Sequence, residues 1–258
     1  MSNADEAVGQ LLAGQAEVAV EGHPDPAQVL AIAEALRGSR STILRMGGCR
    51  IGELGAEAIG EALAGNTALE ELWLYDNEIG DAGAKAIGCA LKTAASLTTL
   101  CLNGNLIGDL GAAAIGDAIA ARSPLEKVGL GHNRIEDVGA EAIGEAVAKS
   151  KTITALNLNH NHIGNVGARA FGGALQTNTS LKSLGLQNNH IGDDGAEGIA
   201  EALWRNASLA TLRLNDNEIG DRGAEAIRGA AAHAATLTTL CLEGNPVSEA
   251  ARLGRPRG

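Results

Sequence analysis

Four of the six histidines in the sequence lie close together, at spacings that metal-binding proteins use. His160 and His162 have one residue between them, and His132 and His190 occupy the matching places in the units before and after. Imidazole nitrogens bind zinc and related cations, so histidines that converge in space could form a metal site. No cysteine or carboxylate completes a tetrahedral set beside them, and Asn161 separates the central pair. We therefore predict no metal and no cofactor. Two interpretations stay open: a polar rim that touches a partner and responds to pH, or a solvated edge.

The aromatic residues indicate a second kind of chemistry, the binding of another protein. The 258 residues include only two Trp, one Tyr and one Phe, and Trp73 and Tyr75 have a single residue between them. Exposed aromatic side chains are typical of binding hot spots. Arg45, Glu71 and Asp76 would lie around this pair, and we predict that all five contact a partner. The alternative is that Trp73 only covers the surface on which it lies.

These residues belong to a 28-residue unit that repeats without insertion. We number its positions from 1 at Leu69. Position 6 is apolar in every copy: Met46, Leu74, Leu102, Leu130, Leu158, Leu186, Leu214 and Leu242. Position 9 is Asn in seven copies and Cys in the first: Cys49, Asn77, Asn105, Asn133, Asn161, Asn189, Asn217 and Asn245. We predict that position 9 forms a structural ladder, in which the amides satisfy backbone groups of neighbouring loops.

Each unit predicts a strand, a turn and a helix. Apolar positions 4 and 6 alternate with polar neighbours, which is the pattern of a strand with one buried face. Position 13, such as Asp81, is acidic or Asn and is expected to accept hydrogen bonds from the first N–H groups of its helix. Glycines inside the helices, such as Gly88, predict a helix contact too close for a Cβ atom.

Positions 5, 7, 8 and 10 vary between the copies, which suggests that the core does not constrain them. On the strands, positions 3, 5 and 7 would point into the hollow of a curved sheet, with positions 8 and 10 on the adjoining loop. The further predicted contact residues at these positions, besides the four histidines above, are Asn103, Asn157, Asn159, Gln187, Arg213 and Asn215.

The pattern LxxLxLxxNxI, at the spacing of this 28-residue unit, resembles the leucine-rich repeats of the ribonuclease-inhibitor type. Its continuation, as in "NEIGDAGAKAIGCAL", is most similar to the repeat domains of NOD-like receptors. The resemblance covers roughly residues 41 to 247. Ribonuclease inhibitor itself alternates its repeat lengths and is rich in cysteine, whereas this chain keeps one constant length and has four cysteines. The P-loop of NOD-like receptors, GxxxxGK[ST], is absent from the sequence.

Repetition and resemblance together predict an α/β fold, a right-handed leucine-rich repeat solenoid or horseshoe. Its parallel β-sheet would line the concave face and its α-helices the convex face, because stacked strands lie closer together than packed helices. We expect an irregular N-terminal capping segment over residues 1–40, seven repeats over residues 41–236, and a terminal half-repeat with a tail over residues 237–258.

Composition limits the function. The net charge of −11 argues against nucleic acid or an anionic membrane surface as the main partner. The sequence has no run of 18 apolar residues, so it predicts no membrane span. The four scattered cysteines fit a reducing compartment, so we expect a cytoplasmic protein. We also expect it to be a monomer. Catalytic motifs are absent, which favours a non-catalytic scaffold that binds a protein partner on its concave face.

The alternative is an enzyme-regulating role. Ran GTPase-activating proteins resemble this fold, and exposed Asn103, Asn159 and Asn215 leave that role open. The uniform short repeats offer no long loop that could reach a nucleotide.

Overall fold

The computed structural model describes residues 3–121 and 124–249. Within these residues, strands and helices alternate along the chain. The strands are β1 Glu17–Ala19, β2 Ile43–Arg45, β3 Glu71–Trp73, β4 Thr99–Cys101, β5 Lys127–Gly129, β6 Ala155–Asn157, β7 Ser183–Gly185, β8 Thr211–Arg213 and β9 Thr239–Cys241. The helices are α1 Asn3–Leu12, α2 Pro26–Gly38, α3 Gly52–Leu63, α4 Asp81–Leu91, α5 Asp109–Ala120, α6 Asp137–Lys149, α7 Asn165–Thr177, α8 Asp193–Leu203 and α9 Asp221–Ala231.

The strands form one parallel sheet in chain order, β1 to β9. Each strand residue pairs with the residue at the same position of the next unit, so that Leu72 is opposite Leu100 and Trp73 is opposite Cys101. Strand and helix in every coil give the predicted α/β solenoid, with the sheet on the concave face and the helices on the convex face. Among the described residues, the core between them is aromatic only at Phe171, which is its largest fully buried side chain.

A ladder of buried amides at position 9 connects the coils. The Nδ2 atom of Asn161 donates to the carbonyl oxygens of Leu130 and Leu158, at 2.9 and 3.1 Å. Its Oδ1 atom accepts from the backbone N–H of Ile135 at 3.0 Å. Each amide therefore satisfies backbone groups of the preceding coil. In the first copy the Cys49 thiol donates to the carbonyl oxygen of Val20 at 3.4 Å, and burial raises the pKa of this thiol to about 11.

Position 13 caps a different helix from the one we expected. Asp81 is the first residue of α4, so its side chain cannot reach back over the N–H groups of its own first turn, and the N-cap residue of α4, Gly80, makes no side-chain cap bond. Its Oδ1 atom instead accepts from the backbone N–H groups of Gly108 and Gly111 at the start of α5, at 2.8 and 2.9 Å. Asp137, Asn165 and Asp193 make the same pair of bonds to the next helix. The expected cap exists, but it joins one coil to the next.

The helical glycines lie where neighbouring helices touch. A Cβ atom on Gly88 would lie 2.6 Å from the carbonyl oxygen of Ala114, and one on Gly172 would lie 2.3 Å from that of Gly198. Real Cβ atoms essentially never come that close to another heavy atom. These glycines allow the helix backbones to approach each other.

The N-terminal segment adds helix α1, which the repeat pattern does not predict. Ala4, Ala7 and Leu11 of α1 are buried, and the Asn3 side chain accepts from the backbone N–H of Glu21 at 2.7 Å. Strand β1 then pairs with β2 and extends the sheet. At the other end, the predicted tail after residue 249 lies outside the described residues.

Candidate functional site on the concave face

Trp73 and Tyr75 form the centre of a cluster on the concave face near its N-terminal end. The Trp73 indole N–H donates to the Glu71 carboxylate at 2.9 Å, and the Arg45 guanidinium lies 4.9 Å from the centroid of the Trp73 ring. Arg45 also pairs with Glu17 at 2.6 Å. These contacts fix the orientation of the indole, because its polar edge and one of its faces both have partners.

Tyr75 lies across the preceding coil and remains 42% exposed. Its ring occupies the space that a Cβ atom on Gly47 would need. Asp76, which is exposed, leans over Gly104 in the following coil in the same way. Glycine in a neighbouring coil therefore lets each of these side chains lie flat. Trp73, Tyr75, Asp76 and His132 line a shallow depression of about 450 Å³.

The middle of the concave face has a flat floor made by asparagines that lie over glycines. The Asn103 side chain accepts from the backbone N–H of Gly131 at 2.7 Å, and that of Asn159 accepts from Gln187 at 2.9 Å. Asn157 accepts from the backbone N–H of Asn159 at 3.0 Å. The side-chain oxygens of these predicted contact residues are therefore already bonded to the protein's own backbone. A partner would meet their amide N–H groups rather than free carbonyl oxygens.

A trough of about 280 Å³ runs over this floor from Trp73 to Arg213. Its lining includes Lys127, Cys101 and Ser183 but no Asp or Glu among the residues that the structure describes. Burial raises the pKa of the Cys101 thiol, so the floor carries no thiolate at neutral pH. The two basic residues of the lining, Lys127 and Arg213, are exposed and make no ion pair with the described part of the chain. The trough is thus a positive patch on a protein of net charge −11.

Lys127 lines the trough but is not among the contact residues that we predict from the sequence, although its position in the repeat indicates the concave face. It occupies position 3, the same concave column as Glu71, on the strand next to Cys101. Asn215 lies beyond the lining of the trough, and its amide donates to the Asp216 carboxylate at 2.9 Å.

The histidines form two stacked pairs. The rings of His132 and His160 lie 3.9 Å apart between centroids with an interplanar angle of 12°. Those of His162 and His190 are 5.8 Å apart, and His190 contacts the Glu218 carboxylate at 3.0 Å. Desolvation lowers the pKa of His160 below its usual value, and the charge of a protonated His132 lowers it further. Among the described residues, no group of three His, Cys, Asp or Glu side chains could hold a metal ion.

Backbone geometry explains why histidine occurs at position 8, which we had interpreted as unconstrained. Every copy has a positive φ there, between 53° and 75°: Gly48, Asp76, Gly104, His132, His160, Asn188, Asp216 and Gly244. Glycine adopts this left-handed region freely, and Asn, Asp and His tolerate it better than other residues do. The restriction to Gly, Asp, Asn and His was visible in the sequence and could have revealed the turn.

Comparison with known proteins assigns the family. A family model described as Leucine Rich repeat matches residues 65–88, 93–116, 123–144, 149–172, 177–200 and 205–227. These stretches make up more than half of the sequence, and the chain belongs to the leucine-rich repeat family. No curated protein sequence is similar enough to count as a relative.

One similar solved chain comes from an octameric complex of Latrophilin 3 (Lec, Olf), Unc5D (Ig, Ig2, TSP1) and FLRT2 (LRR). It is 21% identical, with a TM-score of 0.43, and the match covers 71% of this chain and 50% of that one. This chain therefore spans about half the length of the solved chain. At that TM-score the likeness adds nothing to the family assignment. The described helices include none long and apolar enough to span a membrane.

Proposed function

We propose that this chain is a non-catalytic interaction protein that holds a protein partner on its concave face. The observation that carries the proposal is the Trp73–Tyr75 cluster, two adjacent aromatic side chains set on an otherwise flat polar surface. Arg45 and Glu71 orient the Trp73 ring before binding, and the Tyr75 ring lies over Gly47, so little side-chain entropy is lost at Trp73 when a partner covers the pair. The strand and helix in every coil support a repeat of the ribonuclease-inhibitor type, as in NOD-like receptors.

The trough indicates what the partner offers beside its apolar contact. Lys127 and Arg213 have no carboxylate near them in the described lining, so an acidic segment of the partner would gain two charge-assisted contacts there. We therefore propose a partner that presents an apolar side chain to Trp73 and Tyr75 and carboxylates to the two cations. The proposed location stays the reducing cytoplasm, which the four free cysteines support.

The test is an affinity capture from the native host with the wild type and with the double variant Trp73→Ala/Tyr75→Ala. We expect capture of the partner to fall at least tenfold, because hot-spot aromatics typically contribute about 2 kcal/mol or more each. Trp204→Ala is the control, since Trp204 is the other tryptophan of the sequence and is exposed, but lies at the end of α8. A partner that binds the double variant as well as the wild type would rule out this cluster.

Charge reversal tests the second part of the proposal. Lys127→Glu with Arg213→Glu should weaken the same partner, and the loss should shrink as salt is added, because screening removes the repulsion. Lys151→Glu with Lys182→Glu changes the net charge by the same amount and is the control, since both lysines are exposed and neither lines the trough. Equal losses for both charge reversals would contradict an acidic partner segment in the trough.

The enzyme-regulating alternative receives less support from the geometry. Asn103 and Asn159 each have the side-chain oxygen bonded to backbone N–H groups, and Asn215 is bonded to Asp216. A residue that positions an attacking water by accepting its hydrogen bond needs a free oxygen, and the side-chain oxygens of Asn103 and Asn159 are occupied. Single-turnover GTP hydrolysis by small GTPases, with this protein added, checks the alternative; a rate increase would support it over a scaffold.

A further inference from the structure

A second surface suited to binding lies away from the concave face, between helices α2 and α3. It is a trench of about 530 Å³ whose apolar lining includes Val29, Leu30, Ile51, Leu54 and Ala58. Leu30 is 58% exposed and Leu54 is 79% exposed. Water therefore contacts a continuous apolar strip that runs across two neighbouring helices.

The trench exists because α2 departs from the repeat. Ile32 stands one repeat period before Gly60, and in helices α3 to α7 this position is a glycine that touches the next helix backbone. Ile32 is fully buried, so its side chain occupies the space that glycine leaves empty. Helix α2 consequently cannot approach α3 as closely as α3 approaches α4.

The cap that joins other neighbouring helices is also missing here. Asp25 stands one repeat period before Glu53, but it caps its own helix α2 in a capping box with Gln28. Helix α3 begins after Ile51 and has no side-chain cap. Two independent departures from the repeat therefore open the same place in the convex surface.

The charges beside the trench define what fits it. Glu53, Glu57 and Glu61 line one side and recur at every fourth residue, so they form a row along α3. No Lys, Arg or His lines it among the described residues. Glu53 already accepts from the backbone N–H of Ala82 at 3.0 Å, which leaves Glu57 and Glu61 for a partner.

We infer that the α2–α3 trench is a second docking surface, which takes an amphipathic helix of another protein with basic residues beside its apolar stripe. Two helices with an apolar strip between them give the groove into which a third helix lays its apolar face. Lysine or arginine on that helix then reaches the row of glutamates. The trench does not depend on the concave-face proposal, because the two surfaces share no residue.

A displayed library of amphipathic helices tests the inference with the whole chain. The helices are about 16 residues long, or about 24 Å, with leucine on one face and Lys, Glu or Ala allowed at the flanking positions. We expect selection on the wild type to enrich lysine-flanked helices. Their affinity should fall at least tenfold on Leu54→Asp and on Glu57→Lys/Glu61→Lys.

Matched variants on other helices serve as controls. Leu110 holds the position of Leu54 in α5 and is 77% exposed, and Glu141 and Glu145 hold the positions of Glu57 and Glu61 in α6. Leu110→Asp and Glu141→Lys/Glu145→Lys should leave binding unchanged, and circular dichroism should show every variant folded. Failure to enrich any helix, enrichment of glutamate-flanked helices, or equal weakening by the controls would overturn the inference. Dimers of the wild type that Leu54→Asp dissociates would overturn it too, because the trench then serves a second copy.

Discussion

At the scale of single residues, the concave face has positions where the backbone conformation restricts the residue type and positions where it does not. His132 and His160 occur where the chain turns through a left-handed conformation, so their residue type reflects the turn as well as any contact. Trp73 and Tyr75 face no such restriction, and the pattern of positions 5 and 7 correctly predicted their concave surface. Sequence alone could not reveal that Asn103 and Asn159 use their oxygens on the backbone, because that depends on glycines in the next coil.

The left-handed turn predicts that His132 tolerates some substitutions and not others. His132→Val should lower the free energy of unfolding by about 1–2 kcal/mol, because a β-branched residue is disfavoured at a φ of 54°. His132→Asn should be nearly neutral, since Asn188 occupies the same turn. Urea denaturation followed by circular dichroism measures both. His162→Val, at an exposed position without a positive φ, controls for loss of a histidine; an equal loss there would contradict the explanation.

At the scale of elements, each helix is defined by contacts with its neighbours as much as by its own sequence. The acidic residue at the start of a helix looks like a cap for that helix, and this prediction was wrong because the helix begins at the acidic residue itself. The glycine pattern predicted close contact, and the nearest atoms, such as the carbonyl oxygen of Ala114 beside Gly88, agree. Helix α1 escaped prediction because no other copy exists with which to compare it.

The cap between coils predicts an effect one helix away from the mutation. Asp137→Ala should cost about 1 kcal/mol of stability, the usual value for a lost cap. Hydrogen exchange should accelerate at the amides of Gly164 and Gly167 at the start of α7, which Asp137 accepts from at 2.8 Å each, and not in the first turn of α6. Asp137→Asn should keep the protection, because Asn165 makes the equivalent bonds. Faster exchange confined to α6 would show that the cap acts within its own helix.

Two adjacent glycines in α7 predict changes of opposite sign. Gly172→Ala should lower the free energy of unfolding by about 1–3 kcal/mol, because its Cβ atom would lie 2.3 Å from the Gly198 carbonyl oxygen. Gly173→Ala should raise it by about 0.5–1 kcal/mol, since a Cβ atom there meets nothing within 4 Å and alanine favours the helix. The urea midpoints of the two variants decide the matter. Changes of the same sign would mean that helix propensity, and not contact between coils, dominates.

At the scale of the whole molecule, the solenoid is a row of coils that stabilise only their neighbours. Its sheet and register were predictable because the repeat period has no insertion from Leu69 to Val247. The α2–α3 trench was not predictable, because residues 1–40 do not follow the 28-residue repeat, which therefore does not specify how α2 packs on α3. The predicted boundaries at residues 40 and 236 stay predictions.

Because each coil stabilises only its neighbours, a destabilising substitution in a central coil should make the two sides of the solenoid unfold separately. Asn161→Ala removes a buried amide with bonds to Leu130, Leu158 and Ile135, and should cost about 3 kcal/mol because these groups lose their partner. Urea unfolding should then separate into two transitions, one for each side of the break. Asn245→Ala, at the end of the row, should loosen only the last coil, as hydrogen exchange would show. A single transition with an unchanged slope in the Asn161 variant would argue for a more cooperative molecule.

The two kinds of bridge between coils run in opposite directions. The carboxylate or amide at position 13 serves the following coil, whereas the position 9 amide serves the preceding one. During synthesis, the position 13 side chain that caps a new helix therefore belongs to a coil that has already left the ribosome. Each turn, by contrast, is completed only when the next coil has been translated. We therefore expect a pause in translation to leave one incomplete turn, at the C-terminal edge of the coils that have already folded.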